Sequence, residues 1–353
     1  MKASENDILK KIEEEFSFPG NGDLILGPGD DCAVLKPIKG QLVITTDEQV
    51  EGTHFFPGSA PEDIACKLMR SNISDLAGMG NIRPISCLAG AALTTETQTD
   101  FIERFIQQLK KEARHFGITI AGGNLAAARE NHFYMTVWGE AQSAPILRGG
   151  TKEGDILVNI GPLGESKAAL EAIQEMQKPG LNAKNLQDFT GKITNKPGKH
   201  GSIDNSGAET KTAIERTVYS QLIESFWRPE PQLNAGKIIA EEGLAAAMLD
   251  NSDGLFKSAK ILAERAGLKA IIDASQIKIS AFLEKWCKAH GKDAKAYAIA
   301  GGEDYGLIFS MRKEKLPILK EKLPGAYQIG HFEKGNGTAI VNFNGKIEEF
   351  EHF

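Results

Sequence analysis

Between Leu24 and Ala144, short runs rich in β-branched residues alternate with longer runs whose apolar residues recur at helical spacing. Such switching between the two periods predicts a mixed α/β (α+β) architecture. Strands are expected over Cys32 to Lys36, Leu42 to Asp47, Ile85 to Leu93, Ile118 to Gly122 and Phe133 to Glu140. Helices are expected over Pro61 to Gly80 and Asp100 to Phe116, the second carrying Phe101, Phe105 and Leu109 on one face and stopping at Gly117. Ahead of them, Ile8, Ile12 and Phe16 are spaced as on an amphipathic helix started by Ser4, not as in the unbroken apolar core of a signal peptide.

With 353 residues the chain has room for about two domains. Glycines and a proline gather between Pro145 and Gly154 before a new strand at Asp155 to Ile160. The expected division is therefore residues 1–145 and 146–353, the second an α/β sandwich. Lys178 to Lys211 is polar and poor in apolar residues, and reads as an exposed insertion or a mobile loop. Helical periodicity returns over Tyr219 to Phe226 and Gln232 to Glu242, interrupted by Pro229 and Pro231.

Charge and cysteine usage narrow the function classes. Against 41 Lys and Arg stand 47 Asp and Glu, a net charge of -6, so a broad basic face for duplex nucleic acid is not expected. Four scattered cysteines without a C-x-x-C pair fit a reducing cytoplasm, and no run of about 18 apolar residues offers a membrane span.

Six segments put Asp or Asn beside Gly or Ser at junctions between elements. Gly27 to Val34 holds the pair Asp30 and Asp31. Two carboxylates about 4 Å apart repel by roughly 4 kcal/mol at an effective dielectric near 20, which a divalent cation relieves. Thr45, Thr46 and Asp47 end a strand with hard oxygen donors suited to Mg²⁺, and His54 follows in Val50 to Phe55. In Ser71 to Gly80, small residues allow close backbone approach while Asp75 sits in an apolar setting that calls for a cation or donors. Gly122, Gly123 and Asn124 follow a strand and permit approach to a phosphate or base. The remaining two are Asp250 to Leu255 and Gly301 to Phe309. Each segment alone also serves as a surface turn or a cap; six together are harder to explain as unrelated turns.

No G-x-x-x-x-G-K-[ST] loop and no protein-kinase motif set is present. If the chain handles nucleotide phosphates, metals must do most of the neutralising, with Arg148 and Lys152 the best cationic helpers; the same two charges equally suit a solvated loop.

Taken in order, GPGDDCAVL (27–35), TTDEQVEGTHF (45–55), SNISDLAGMG (71–80), GGN (122–124), RGGTKEGD (148–155), DNSDGL (250–255) and GGEDYGLIF (301–309) resemble the thiamine-monophosphate kinase family. Its superfamily includes aminoimidazole ribonucleotide synthetase, selenophosphate synthetase and the hydrogenase-maturation dehydratase. The closing Phe350 to Phe353 is similar to that family's aromatic ending. The resemblance implies ATP-dependent phosphorylation of thiamine monophosphate in a homodimer joined through its N-terminal sheets, with several Mg²⁺ ions. It further implies metal ligation by Asp30, Thr45, Thr46, Asp47, Asp75, Asn124, Asp250 and Asp253, and nucleotide contacts from Gly123, Asn124, Arg148 and Ser252. His54, Glu303 and Phe350 would meet the thiamine phosphate, with no covalent or general-base residue. Asn124 departs from the Asp of many relatives, Asn251 from an apolar residue and Gly306 from Glu. Competing readings are another ATP-dependent synthetase of the superfamily and a non-catalytic nucleotide-binding protein, for which Asn124 is the hint.

Overall fold

The computed structural model describes residues 5–16, 22–28, 32–177 and 207–347. In chain order its main elements are α1 (Glu5–Phe16), β1 (Leu24–Leu26), β2 (Val34–Leu35), β3 (Gln41–Val50), α2 (Pro61–Gly78), β4 (Ile82–Leu93), α3 (Thr99–His115), β5 (Thr119–Gly122), β6 (Leu125–Ala127) and β7 (His132–Ala141). They continue with β8 (Ile156–Ile160), α4 (Glu165–Gln177), α5 (Gly207–Trp227), α6 (Leu233–Glu241), β9 (Ala245–Asp250) and α7 (Leu255–Ala266). Last come β10 (Leu268–Asp273), α8 (Ala281–Ala289), α9 (Ala294–Ala300), β11 (Leu307–Met311), α10 (Leu316–Lys322), β12 (Tyr327–Lys334) and β13 (Gly337–Val341). The mixed α/β expectation holds.

The first sheet runs β3-β7-β4-β5, with β6 also on β4. β7 is antiparallel to both β3 and β4, whereas β5 and β6 lie parallel to β4. α2 and α3 cover one face: Phe105 of α3 stacks on Phe133 of β7 at 4.3 Å between ring centroids. Pleating sends alternate side chains of β3 to opposite faces. Thus Val43, Thr45, Asp47 and Gln49 turn toward α2, while Leu42 and Ile44 are 55% and 60% exposed on the other face.

The second sheet runs β13-β10-β12-β8-β11-β9. Helix α7 packs on one face through Leu255, Ala259 and Leu262. Ala235 and Ile239 of α6 and Leu319 of α10 pack on the other. Its central strands β8 and β11 are buried at every position, as strands covered on both faces must be.

Helix α2 touches both layers. Ile64, Leu68, Ile73 and Leu76 join the first core and Ala77 joins one of the second. Gly78 lets it lie against β9, since a Cβ there would stand 3.0 Å from the amide nitrogen of Asp250. The close approach expected of this small-residue segment is therefore an approach to β9.

Some expectations fall at element ends. The first expected strand contracts to Val34–Leu35, and α5 begins at Gly207, upstream of its apolar periodicity, because Ala, Glu and Lys favour helix without an apolar stripe. The break at Pro229 and Pro231 stands between α5 and α6 as expected. Ser4, Asp30, Phe350 and residues 178–206 of the expected insertion lie outside the described residues.

Candidate active site

The buried length of α2 forces its polar residues to find partners. Lys67, Ser71, Asn72 and Ser74 are all at most 1% exposed. Asn72 donates from Nδ2 to the Leu68 carbonyl at 2.8 Å, and its Oδ1 accepts the amide of Asp47 at 3.1 Å, fixing the end of β3. Ser74 Oγ donates to Oδ2 of Asp250 at 2.9 Å, tying α2 to the end of β9. The next residue, Asp75, accepts the hydroxyl of Thr45. Asp47, Asp75 and Asp250 are thereby drawn from a strand, a helix and the opposite sheet to one place.

Their electrostatics record the crowding. Burial first, and then the Asp75 carboxylate, push Asp47 up to about 7. Asp250, also displaced first by burial and then by Asp75, rises to about 7 as well. Burial raises Asp75 against the opposing pull of the Thr45 hydroxyl and of Arg148. The exposed Arg148 thus bears on these acids from a loop held along β9 by the bond from the Met248 amide to the Leu147 carbonyl, 3.0 Å.

The cleft beside them has a volume of about 230 Å³ and is lined by Asp47, Glu48, Gln49, His54, Asp75, Ser252, Asp253, Glu303 and Tyr305. Two segments that looked separate in the sequence form its far wall together. The amide of Glu303 donates to the Ser252 carbonyl at 2.6 Å, that of Tyr305 to the Asn251 carbonyl at 3.1 Å, and that of Asn251 to the Gly306 carbonyl at 2.8 Å. Glu303 and Tyr305 take φ of 60° and 52°, a left-handed backbone that non-glycine residues adopt at a cost of order 1–3 kcal/mol. Between them Asp304 anchors the wall, accepting the amides of Gly164 at 2.5 Å and Ser166 at 3.1 Å around the start of α4. Gly306 leaves no room for a side chain, because a Cβ would stand 2.5 Å from the Ile160 carbonyl oxygen.

Of the expected residues, Asp47, Asp75, Asp253, Ser252, His54 and Glu303 line this cleft, and Asp250, outside the lining, bonds to Ser74 and to Ser252 Oγ (3.3 Å). Asp253 also holds Lys257 at 2.8 Å. His54 accepts the Val50 amide on Nδ1 at 3.1 Å. Thr46 points to the opposite face of β3 from Asp47, and its hydroxyl donates to the Met135 carbonyl at 2.8 Å. Gly123 and Asn124 are exposed and lie outside the lining. They sit beside the cleft's own strand row: Asp47 pairs with Met135, which pairs with Ala89, and a Cβ on Gly123 would strike the Ala89 carbonyl at 1.7 Å. Three strand spacings separate them, about 14 Å. The glycine is thus required by a neighbouring strand, whatever else it meets.

Sequence reasoning missed Lys67, Asn72, Gln49 and Tyr305 as parts of the site. A lysine and an asparagine inside an apolar helical run were the available signals. Asn251 is fully buried with Oδ1 accepting Ser258 Oγ at 3.2 Å, and its Nδ2 finds no acceptor among the described residues.

Among the described residues no three His, Cys, Asp or Glu side chains already form a metal cage. Mg²⁺ does not require one, since it keeps several waters and takes one or two carboxylates together with substrate phosphates. The oxygen donors of half-buried Asp47 and Asp75 and of buried Asp250, repelling one another, fit that cation.

A mixed sheet packed through one buried helix onto an α/β sandwich, with acids from both layers at the seam, defines a class. Residues 29–141 match AIR synthase related protein, N-terminal domain. The chain resembles thiamine-monophosphate kinases over nearly its whole length. That of Aquifex aeolicus is 28% identical over 326 residues, 92% of each chain. The crystal structure of thiamine-monophosphate kinase from Stenotrophomonas maltophilia K279a is 27% identical with a TM-score of 0.75, covering 97% of this chain and 98% of that one. AaThiL complexed with AMPPCP and TMP is 25% identical with a TM-score of 0.71, covering 99% and 97%.

Proposed function

We propose that this chain transfers the γ-phosphoryl group of ATP to thiamine monophosphate, giving thiamine diphosphate and ADP. The observation that carries this reading is the single cleft in which Asp47 and Asp75 of one layer face Asp253 and Glu303 of the other. The full-length likeness to thiamine-monophosphate kinases, one of them captured with AMPPCP and TMP, supports the same reading.

The acceptor oxygen belongs to a phosphate already largely ionised at pH 7, its second pKa being near 6, so no side chain needs to remove a proton from it. It attacks the γ-phosphorus in line, the bond from that phosphorus to the β-bridging oxygen breaks, and ADP leaves without a phosphoenzyme. The difficulty is the approach of two anions, and the protein's task is alignment and charge neutralisation. Asp30, Thr45, Thr46, Asp47, Asp75, Asn124, Asp250 and Asp253 would hold Mg²⁺, which supplies positive charge between the phosphates. Thr46 would do so through its backbone, given the use of its hydroxyl. Gly123, Asn124, Arg148 and Ser252 hold the nucleotide; His54, Glu303 and Phe350 hold the acceptor.

In this reading residues 1–145 and 146–353 are two domains of a cytoplasmic homodimer. The uncovered face of the first sheet, where Leu42, Ile44 and Leu88 are exposed, meets its own copy. Among the described residues all four cysteines are free and no helix is long and apolar enough to cross a membrane.

A panel of phosphate acceptors offered with Mg-ATP tests the reading. Thiamine diphosphate formed from thiamine monophosphate supports it. Turnover only with an acyl or amide acceptor would mark a synthetase, and nucleotide binding without turnover a regulatory protein.

A further inference from the structure

Beneath the cleft lies a buried cation. Lys67 is 0% exposed in the middle of α2. Its ammonium donates to Oε2 of Glu303 at 3.0 Å and to the carbonyl of His54 at 3.3 Å. It also rests on the ring of Phe226 in α5, 3.6 Å from the centroid. Removing an ammonium from water is costly, and one ion pair seldom returns the whole of that penalty. Packing alone would be better served by an apolar side chain of similar length. What a lysine does here that methionine cannot is grip two oxygens from separate elements. Those oxygens belong to His54, in the turn after β3, and Glu303, in the segment before β11. The grip is needed because Glu303 is 8% exposed, held on a left-handed backbone and repelled by Asp47.

We propose that Lys67 is a positioning residue for the acceptor, holding the Glu303 carboxylate and the His54 turn at one fixed spacing, so that it governs acceptor recognition and leaves the nucleotide's binding alone. This rests on the functional reading above, in which Glu303 and His54 meet the acceptor. A carboxylate so fixed suits a ligand that carries positive charge or N–H donors, as the thiazolium and aminopyrimidine of thiamine do.

Steady-state kinetics of the full chain test it, with thiamine monophosphate and Mg-ATP varied separately. Lys67→Met should raise KM for thiamine monophosphate about tenfold or more while KM for ATP stays within about twofold, the range expected when one charge-assisted contact is lost. Glu303→Gln should show the same split, and Lys67→Met combined with Glu303→Gln should be no worse than the poorer single variant, because both act through one contact. Should Lys67→Met fail to fold, Lys67→Gln, whose amide can still donate, is read instead and should show a smaller rise confined to the same substrate. A fall in kcat with neither KM changed, a parallel rise of both KM values, or losses that multiply in the double variant would overturn the assignment. If the unaltered protein forms no thiamine diphosphate, the functional reading falls and the inference with it; turnover without the split removes only the inference.

Discussion

At the scale of the residue, the site combines partners for every buried polar group on α2 with carboxylates that repel one another. Asp75 illustrates the balance. Burial opposes its charge while the Thr45 hydroxyl and Arg148 favour it, and its carboxylate in turn pushes Asp47 and Asp250 up by repulsion. Changing Asp75 to Asn keeps the shape and removes that repulsion. Thermal unfolding of Asp75→Asn without Mg²⁺ should therefore match or slightly exceed that of the unaltered protein, while kcat falls about a hundredfold or more. Near-normal turnover would remove Asp75 from the metal set. Aspartates such as Asp47 and Asp75 were legible in the sequence because an acid at the end of an apolar run needs a reason. Lys67 was not, since its meaning depends on Glu303, 236 positions away.

Among elements, α2 and β3 decide whether the site exists. Gly78 allows α2 to lie on β9, where an added Cβ would stand 3.0 Å from the amide nitrogen of Asp250. The methyl group of Gly78→Ala would push the two apart; an overpacked contact of this kind costs about 1–3 kcal/mol. Denaturant titration should read that loss, and kcat should fall with it because Asp250 moves away from Ser74. Strand β3 is the edge of its sheet, and its first turn is tied by Glu140, whose carboxylate accepts the amides of Gly40 at 2.8 Å and Lys39 at 3.0 Å and pairs with Arg83 at 2.9 Å. Those bonds, the Gly40 amide first, hold Glu140 at about 2 against an ordinary 4.5. A depressed carboxylate stabilises fully above its unfolded pKa and loses that contribution as pH falls toward the folded one. The difference in urea midpoint between the unaltered protein and Glu140→Gln should thus be constant above pH 4.5, shrink below it and vanish near pH 2. A difference that grows on acidification would refute this. The α2, α3 and β7 segments were legible from their periodicity, whereas β1 and β6, each three residues long, carry too few positions for any period to show.

The whole molecule brings together motifs from both ends of the chain, and that convergence is what local patterns could not supply. The segments at 250–255 and 301–309 read as two separate turns, yet paired strands β9 and β11 zip them into one wall, with Asp250 opposite Leu307. The sequence resemblance anticipated the grouping; periodicity did not. The uncovered face of the first sheet belongs to this scale too. Ile44 is 60% exposed on it, so Ile44→Asp should convert a dimer to monomers in sedimentation, whereas an unaltered protein that is already monomeric at micromolar concentration would exclude pairing through this face.

Phosphorus NMR of the full chain with ATP, Mg²⁺ and thiamine monophosphate is the most direct test of convergent acids serving transfer between two anions. Thiamine diphosphate and ADP should appear one for one, with no inorganic phosphate and no AMP. ADP formed with free phosphate while thiamine monophosphate is left unchanged would contradict it.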